Sequence, residues 1–191
     1  MTFATLFSKP ARWLVDQSVN WKSHAFTVLV VLFVYGGIHL WQTRMVPEGK
    51  APGFTAPAAS QTNLGVVELD AWRQLHAGSA VALHFWADWC PICRLEENSV
   101  NRVQLDWPVL GVAMQSGDAA RVLGVQSHRA LSWRSAIDTD GSIARRYGLS
   151  SVPAFVVLDA NGRIRFAEVG YTTELGMRLR LWWAQIFDFG A

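Results

Sequence analysis

The sequence predicts an α/β domain, with a central mixed sheet flanked by helices, preceded by one transmembrane helix. Three observations support this fold class. An apolar run of strand length at residues 81–86 is followed at once by a Cys-x-x-Cys motif and a helix-compatible stretch at 94–103. The turn signal Asn161-Gly162 separates two further strand-like runs. Near the N-terminus, 21 consecutive residues carry no formal charge, a length suited to a membrane span.

The charge distribution limits the partners that this chain can bind. The first 24 residues carry a net charge of +2, whereas the rest contains 14 basic and 14 acidic side chains. A neutral domain lacks the basic surface of a nucleic-acid-binding protein, so the sequence predicts no nucleic-acid partner. Only two cysteines occur, three residues apart, and no two of the five histidines are spaced as paired ligands. We therefore expect no disulfide framework, no zinc site and no cofactor.

The uncharged stretch predicts an anchor over residues 25–43, because as a helix it would span about 30 Å of membrane lipid. Trp21 and Trp41 bracket it, as interfacial indoles do. Positive charge dominates its N-terminal side, which predicts residues 1–24 in the cytoplasm and the rest of the chain exported. A cleaved signal peptide is the alternative, but the run is long for one and no Ala-x-Ala pattern follows it closely.

The segment after the anchor has the composition of a spacer. Residues 44–62 are rich in Pro, Gly, Ala and Ser, which cannot bury a core. We therefore expect a semi-flexible linker over these residues. The folded, exported domain is then expected to occupy residues 63–191.

Periodicity predicts the order of elements within that domain. Two buried-type strands can pair in parallel around a helix, and two later strands form an antiparallel hairpin. The predicted strands lie at 81–86, 109–114, 133–137, 154–158 and 163–169, and the predicted helices at 94–103, 118–128, 142–147 and 173–187. The terminal helix is expected to cover the sheet with one apolar face, formed by Leu175, Leu179, Trp182, Trp183 and Ile186.

The motif Cys90-Pro91-Ile92-Cys93 is the candidate redox centre. Its loop is too short for a disulfide to stabilise the fold much, since that stabilisation grows with the residues enclosed. Cys90 precedes a helix whose first turn suits Pro91, so its sulfur should face free N–H groups and the positive dipole end, which stabilise a thiolate. We expect Cys90 to attack a partner and Cys93, one turn later, to release it. A buried pair of free thiols, or half of a metal site, is the alternative.

Two segments resemble signatures of the thioredoxin superfamily. Residues 85–93, FWADWCPIC, are similar to its active-site motif, and residues 151–154, SVPA, resemble its cis-proline loop. The resemblance extends over residues 64–187 and implies a thioredoxin fold. It also implies that the loop formed by Val152 and Pro153 lies against the two sulfurs and pairs with substrate backbone. By local physics alone, Pro153 is a proline at the start of a strand.

Within the superfamily, an N-terminal anchor combined with Cys-Pro-x-Cys is similar to the TlpA-like bacterial thioredoxins. That resemblance implies a catalytic domain in the periplasm, tethered to the inner membrane. Residues 170–183 resemble the branch linked to suppression of copper sensitivity, the ScsD type. Relatives devoted to cytochrome c maturation usually carry acidic residues near the proline loop, and residues 150–155 contain none, so that substrate is disfavoured.

Several side chains near the motif are candidates for supporting roles. Many thioredoxins have a buried acid, the proton acceptor for the resolving thiol, where His84 stands here, so this chain departs from the family pattern at that position. His84 can take the acceptor role, because a neutral imidazole has a free nitrogen. A core histidine bonded to backbone is the alternative. Trp89 is expected to contact partner polypeptides, with Trp86 as a second rim residue, or both are packed aromatics. Three acids are expected either to tune the site or to be solvated residues favoured by the helix dipole: Asp88, Glu96 and Glu97.

These features predict a thiol-disulfide oxidoreductase that reduces disulfides of exported proteins and is recharged by a DsbD-like membrane thiol-transfer reductant. No cation lies between the cysteines, so one route to a strongly stabilised thiolate and an oxidising potential is absent. A periplasmic oxidase or isomerase is the first alternative, although an isomerase generally needs a dimerisation element. A Cu(I)-binding module that uses the two thiolates as soft ligands is the second.

Overall fold

The computed structural model describes residues 21–60 and 63–187, so most of the predicted cytoplasmic segment, residues 1–20, lies outside the described residues. The described residues form six helices and seven strands, and their order confirms the predicted α/β class. In chain order they are α1 (Trp21–Thr43), β1 (Thr55–Ser60), β2 (Asn63–Glu68), α2 (Leu69–Gln74), β3 (Val81–Trp86), α3 (Pro91–Val103), β4 (Val109–Met114), α4 (Ala119–His128), β5 (Arg134–Asp138), α5 (Ser142–Arg146), β6 (Ala154–Leu158), β7 (Ile164–Val169) and α6 (Glu174–Ile186).

The seven strands of the described residues form one mixed sheet in the order β2-β1-β5-β4-β3-β6-β7. The central strands β3, β4 and β5 are parallel, joined through α3 and α4. The strands β6 and β7 are antiparallel, as the hairpin signal predicts, and Gly162 supplies the positive φ of 78° that their turn requires. Since β3 lies at the centre of the sheet and ends at Trp86, the chain emerges there directly into the Cys-x-x-Cys motif.

Part of the segment predicted as a linker, residues 44–62, belongs to the sheet instead. Thr55–Ser60 forms β1, which pairs with β2 on one side and β5 on the other. Phe54, just before it, is buried in the core. The prediction that the folded domain begins at residue 63 is therefore wrong. The Ala- and Pro-rich composition hides this strand because its hydrogen bonds come from two distant neighbours rather than from local preference.

Residues up to Ile38 and residues from His39 onward form two compact units. The described part of the first unit is helical and belongs to α1. The stretch His24–Thr43 is long and apolar enough to cross a membrane. Its apolar side chains, such as Phe26 and Phe33, are exposed, whereas those of a soluble core helix would be buried. This is the property that an anchor over residues 25–43 requires.

Two apolar clusters cover opposite faces of the sheet, because alternate residues of β3 belong to different clusters. Leu83 and Phe85 pack with side chains of α2 and α5. Trp86 packs with side chains of α3, α4 and α6, and both cysteines belong to this second cluster. Both cysteines of the motif are therefore part of the apolar core between α3 and the sheet, and not of the domain surface.

The terminal helix α6 turns a different face to the sheet from the one predicted. Its buried residues are Met177, Leu181 and Ala184, which belong to the core cluster around the cysteines. The predicted core face is exposed, and its members are Leu175, Leu179, Trp182, Trp183 and Ile186. Apolar residues occupy both sides of this helix, so the amphipathic pattern could not identify the inward side.

Gly111 lies in the middle of β4, where the Trp133 ring crosses the strand. A Cβ at this position would lie 2.5 Å from Oγ of Ser135 and 2.7 Å from Cδ1 of Trp133. Both neighbours are fully buried and cannot move aside without repacking the core. Glycine is therefore required here by close approach.

We expect Gly111→Ala to lower the free energy of unfolding by about 1–3 kcal/mol, because the added methyl group overpacks the core. Urea denaturation of the full chain in detergent measures the change. Gly124→Ala is the matched control, since no atom lies within 4 Å of its added Cβ and alanine favours the α4 helix. Equal stability of the two variants would contradict the assignment of Gly111 as a packing site.

Candidate active site

Cys90 and Cys93 form a disulfide at the start of α3. Cys90 is the N-cap residue and Pro91 occupies the first turn, so the predicted helix start is confirmed. The sulfur of Cys90 accepts the backbone N–H of Cys93 at 3.1 Å. Cys90 is 3% exposed, whereas Cys93 is completely buried. The two sulfurs therefore differ in access, and only that of Cys90 lies where a partner can reach it.

The Val152-Pro153 loop lies beside the motif, as the resemblance to thioredoxins implies. Its peptide bond is cis, and the Val152 carbonyl oxygen lies 3.7 Å from Sγ of Cys90. The next residue begins β6, which pairs with β3 and so brings the loop to the end of the strand that precedes the motif. Gly170 donates its N–H to the Pro153 carbonyl at 2.8 Å, which ties the loop to the end of β7.

The turn that precedes Cys90 is held by side chains from α4 and its neighbours. Asp88 is buried, and its Oδ2 accepts Nε and Nη2 of Arg121 at 2.9 and 2.6 Å. Its carbonyl oxygen accepts Arg129 at 3.0 Å and Arg94 at 3.4 Å. Ser116 accepts its backbone N–H at 3.0 Å. Asp88 is therefore a structural anchor of the turn, and the interpretation of a solvated acid is wrong.

Glu96 is buried on the same face of α3 as Cys93, one turn further along. Its Oε1 accepts the backbone N–H of Thr172, while its Oε2 has no partner among the residues that the structure describes. Burial raises the pKa of Glu96 to about 7, against the opposing effect of the Thr172 hydrogen bond. The solvated role is therefore wrong for this acid too. The sequence does contain an indication of this burial. Glu96 follows Cys93 by three residues, a spacing that places both on the same side of the helix as the buried valines.

Glu97, the third candidate acid, points elsewhere on α3. Its Oε1 accepts Nη1 of Arg129 at 2.9 Å, and both side chains are largely shielded from solvent. Arg129 thus connects α3 to the Asp88 carbonyl. Glu97 stabilises the turn before Cys90 through this arginine rather than by contact with the sulfurs.

His84 is a core residue on β3. Its ring packs edge-on against Trp133, with centroids 5.7 Å apart, and lies tilted against Phe155 at 6.4 Å. Neither ring nitrogen has a hydrogen-bond partner within residues 21–60 and 63–187. Burial lowers the pKa of His84 to about 3, so the ring is neutral at physiological pH and a weak proton acceptor. The structure favours the interpretation of His84 as a core residue. Its ring makes aromatic contacts instead of the expected hydrogen bond to the backbone.

The two tryptophans near the motif have different environments. Trp89 is 54% exposed, and its Nε1 donates to the Gln115 carbonyl at 3.1 Å. Trp86 is fully buried and donates to Oγ of Ser135 at 3.2 Å, so its predicted place in an apolar rim is wrong. Ile92 and Leu95, at the start of α3, are exposed apolar side chains. The rim near Cys90 therefore consists of Trp89 and these α3 residues.

The comparison with known families agrees with this geometry. The AhpC/TSA family matches residues 47–167, which covers the sheet from β1 to β7 apart from the last two residues of β7. This chain belongs to the AhpC/TSA family. A family match that starts at residue 47 also agrees with the inclusion of β1 in the domain. The stretch 170–183, which resembles the copper-sensitivity branch, lies outside the match.

The proteins similar to this chain include thioredoxin-like and thiol:disulfide interchange proteins. YneN, a thioredoxin-like protein of Bacillus subtilis, is 30% identical over 161 residues, which cover 81% of this chain and 93% of YneN. A thiol:disulfide interchange protein DsbE homolog of Paracoccus denitrificans is 29% identical over 119 residues, covering 62% of this chain and 66% of that protein. A crystal structure of a Chlorobium tepidum protein, provisionally assigned as DsbE, has 26% identity and a TM-score of 0.62, covering 73% of this chain and 99% of its own. The chain is thus a thiol-disulfide oxidoreductase with a thioredoxin fold.

We expect the stability of the wild-type chain to fall as the pH decreases from 6.5 towards 3, because the unfolded state protonates His84 while the folded state keeps it neutral. His84→Leu removes this contribution, which is on the order of a few kcal/mol. The free energy of unfolding, measured in urea across this pH range, should therefore fall more steeply for the wild type than for the variant as the pH decreases. A constant difference would show that His84 titrates alike in both states.

Proposed function

We propose that this oxidoreductase reduces disulfides of exported proteins, with Cys90 as the attacking thiolate and Cys93 as the resolving thiol. One observation carries the proposal: the Cys90 sulfur caps α3 and accepts the Cys93 N–H at 3.1 Å. A sulfur in this position gains stabilisation as a thiolate from the free N–H groups and the helix dipole. Because the thiolate is the nucleophile in disulfide exchange, this position favours attack by Cys90.

The proposed reaction transfers two electrons from the dithiol to the substrate. The Cys90 thiolate attacks one sulfur of a substrate disulfide, forming a mixed disulfide and releasing the first substrate thiolate. The Cys93 thiolate then attacks the Cys90 sulfur and displaces the second substrate thiolate, which takes up a proton. The product is the Cys90–Cys93 disulfide that the structure holds.

The second step requires that Cys93 lose its proton inside the core. We assign the acceptor role to Glu96, which lies one turn away on the same buried face of α3. A carboxyl with a pKa of about 7 can accept and return a proton near neutral pH. Its Oε2 has no partner among the described residues and so leaves a site for that proton. His84 is not suited to this role, because its pKa is lowered to about 3.

The surface around Cys90 suits an extended polypeptide as substrate. Trp89, Ile92 and Leu95 expose apolar side chains at the motif. The Val152-Pro153 loop lies on the other side of the sulfur, 3.7 Å away at the Val152 carbonyl. A substrate segment with a disulfide could therefore rest between an apolar rim and a strand-like backbone edge.

The direction of electron flow is proposed from the charge around the motif. No cation lies between the cysteines, and Arg121 and Arg129 are each paired with a carboxylate. The absence of a cation between the two cysteines favours a reducing rather than a strongly oxidising pair. An oxidase or isomerase is the alternative function.

We place the enzyme at the bacterial inner membrane, with residues 25–43 as the anchor and the catalytic domain in the periplasm. The apolar, exposed character of His24–Thr43 supports this location. A DsbD-like membrane reductant is the proposed source of electrons, since the oxidised pair must be recharged from outside the domain. The proposed link to copper tolerance rests on the resemblance of residues 170–183 alone.

We expect Cys93→Ala, expressed with its anchor, to accumulate covalent complexes with exported proteins, because the mixed disulfide at Cys90 can no longer be resolved. Non-reducing electrophoresis followed by mass spectrometry identifies them. Cys90→Ala is the matched control and should trap nothing. Complexes mainly with periplasmic oxidases, or catalysis of disulfide formation in reduced substrates by the wild type, would contradict the assigned direction.

We expect Glu96→Gln to slow insulin reduction on the order of tenfold to a hundredfold near neutral pH, because Cys93 loses its proton acceptor. The wild-type rate should rise through about pH 7 as Glu96 ionises, and the variant should lack that step. Glu97→Gln, which removes an acid from the same helix but not from its buried face, should keep the step.

The same variant has an expected effect on stability. The pKa of Glu96 is raised in the folded state. Its contribution to the free energy of unfolding is therefore fully present below about pH 4.5 and is lost as the pH rises through about 7. Glu96→Gln should remove this decline, measured by urea unfolding of the oxidised protein. A variant that keeps both the kinetic step and the decline would exclude Glu96 as the acceptor.

A further inference from the structure

One apolar surface of the domain is not used by the redox site. It consists of the outward side chains of α6, which we call the α6 apolar face: Leu175, Leu179, Trp182, Trp183 and Ile186. Each of these side chains is between 50% and 67% exposed. They recur at helical spacing and so form one continuous stripe, which is unusual for a surface in contact with water alone.

Polar contacts near both ends of α6 hold the helix with its apolar face towards solvent. Glu174 accepts Arg102 at 2.6 Å, and Arg178 donates to Asp106 at 2.6 Å, which ties the helix to α3. Near the other end, Gln185 accepts the N–H of Ala80 at 2.7 Å and donates to the carbonyl of Gly78. The opposite side of the helix is already packed in the core. The helix therefore cannot turn its tryptophans inward.

One carboxylate of β7 contacts both α6 and His39, the first residue of the second compact unit. Oε2 of Glu168, on β7, accepts Nη2 of Arg180 at 2.5 Å and lies 3.4 Å from Nε2 of His39. His39 stands four residues before Thr43, where α1 and the apolar span end. Shortly after this, Val46 already packs against the core. Arg180 and His39 therefore share the Glu168 carboxylate, and only four residues separate His39 from the end of the apolar span.

The composition of the face suits a bilayer interface. Trp182 and Trp183 lie side by side among leucine and isoleucine, and tryptophan favours the headgroup region. An amphipathic helix with this residue set lies in the interface plane with its apolar side among the acyl chains. Arg178 and Arg180 border the stripe, and both are held by carboxylates of the domain, so the polar edges of the face remain outside the acyl chains.

We propose that the α6 apolar face inserts into the outer leaflet of the membrane that holds the tether, so that the domain is attached at two places. The inference rests on the membrane anchor of the proposed function. It depends on three observations: the apolar stripe of α6, its fixed outward direction, and the Glu168 carboxylate that contacts both Arg180 of α6 and His39. A second copy of the chain and a groove of a partner protein are the competing occupants.

Photolabelling of the full chain in liposomes tests the proposal. The probe is a phosphatidylcholine with a diazirine on its acyl chain, and labelled peptides are identified by mass spectrometry. We expect label on α1 and on residues 174–187, and none at Leu75 or Leu105, which are exposed apolar side chains on other parts of the surface. The double variant Leu179→Glu, Trp183→Glu should lose about tenfold or more of the α6 label, because it removes apolar burial from the face.

Leu75→Glu is the matched control and should leave the α6 label unchanged. Insulin reduction by each variant verifies that the fold is intact. Label on α1 without label on α6 would overturn the inference and leave the anchor standing. Absence of label on both would instead refute the anchor. Protein–protein cross-links at α6, to a second copy or to a partner, in place of lipid label would also overturn it.

Discussion

The structure depends on one contact, the Cys90 sulfur at the free N–H groups that open α3. A helix start leaves unpaired donors, and here a sulfur occupies the place that an oxygen of Ser or Asp usually takes. The central strand β3 delivers the chain to this point, and α3 leads it away with Cys93 on its inner side. The same geometry that begins the helix therefore also stabilises the sulfur that we propose as the nucleophile.

Burial shifts the pKa values of two ionisable side chains near the motif in opposite directions. Glu96 and His84 are both removed from water, and burial disfavours the charged form of each. For the carboxyl this brings the pKa up to about 7, into the working range of thiol chemistry, whereas for the imidazole it brings the pKa down to about 3, out of that range. In the proposed reaction, the acid on α3 rather than His84 on β3 therefore accepts the proton.

Sequence patterns predicted the features whose cause is local. The apolar runs of β3, β4 and β6, the hairpin turn at Gly162 and the proline at the start of α3 each follow from neighbouring residues. The features that were missed depend on distant contacts. Strand β1 needs two partner strands, the inward side of α6 is decided by its ion pairs with α3 and β7, and Glu96 is covered by the loop at Thr172.

The arginine contacts of Asp88 fix the turn that carries Cys90, the proposed nucleophile. Arg121 and Arg129 both come from α4 or its end, more than thirty positions along the chain, and both hold the residue two before Cys90. The sulfur is thereby preorganised, and its approach to a substrate involves little rearrangement of backbone. Substitutions in and just after α4 can consequently alter the rate of electron transfer without contacting either cysteine.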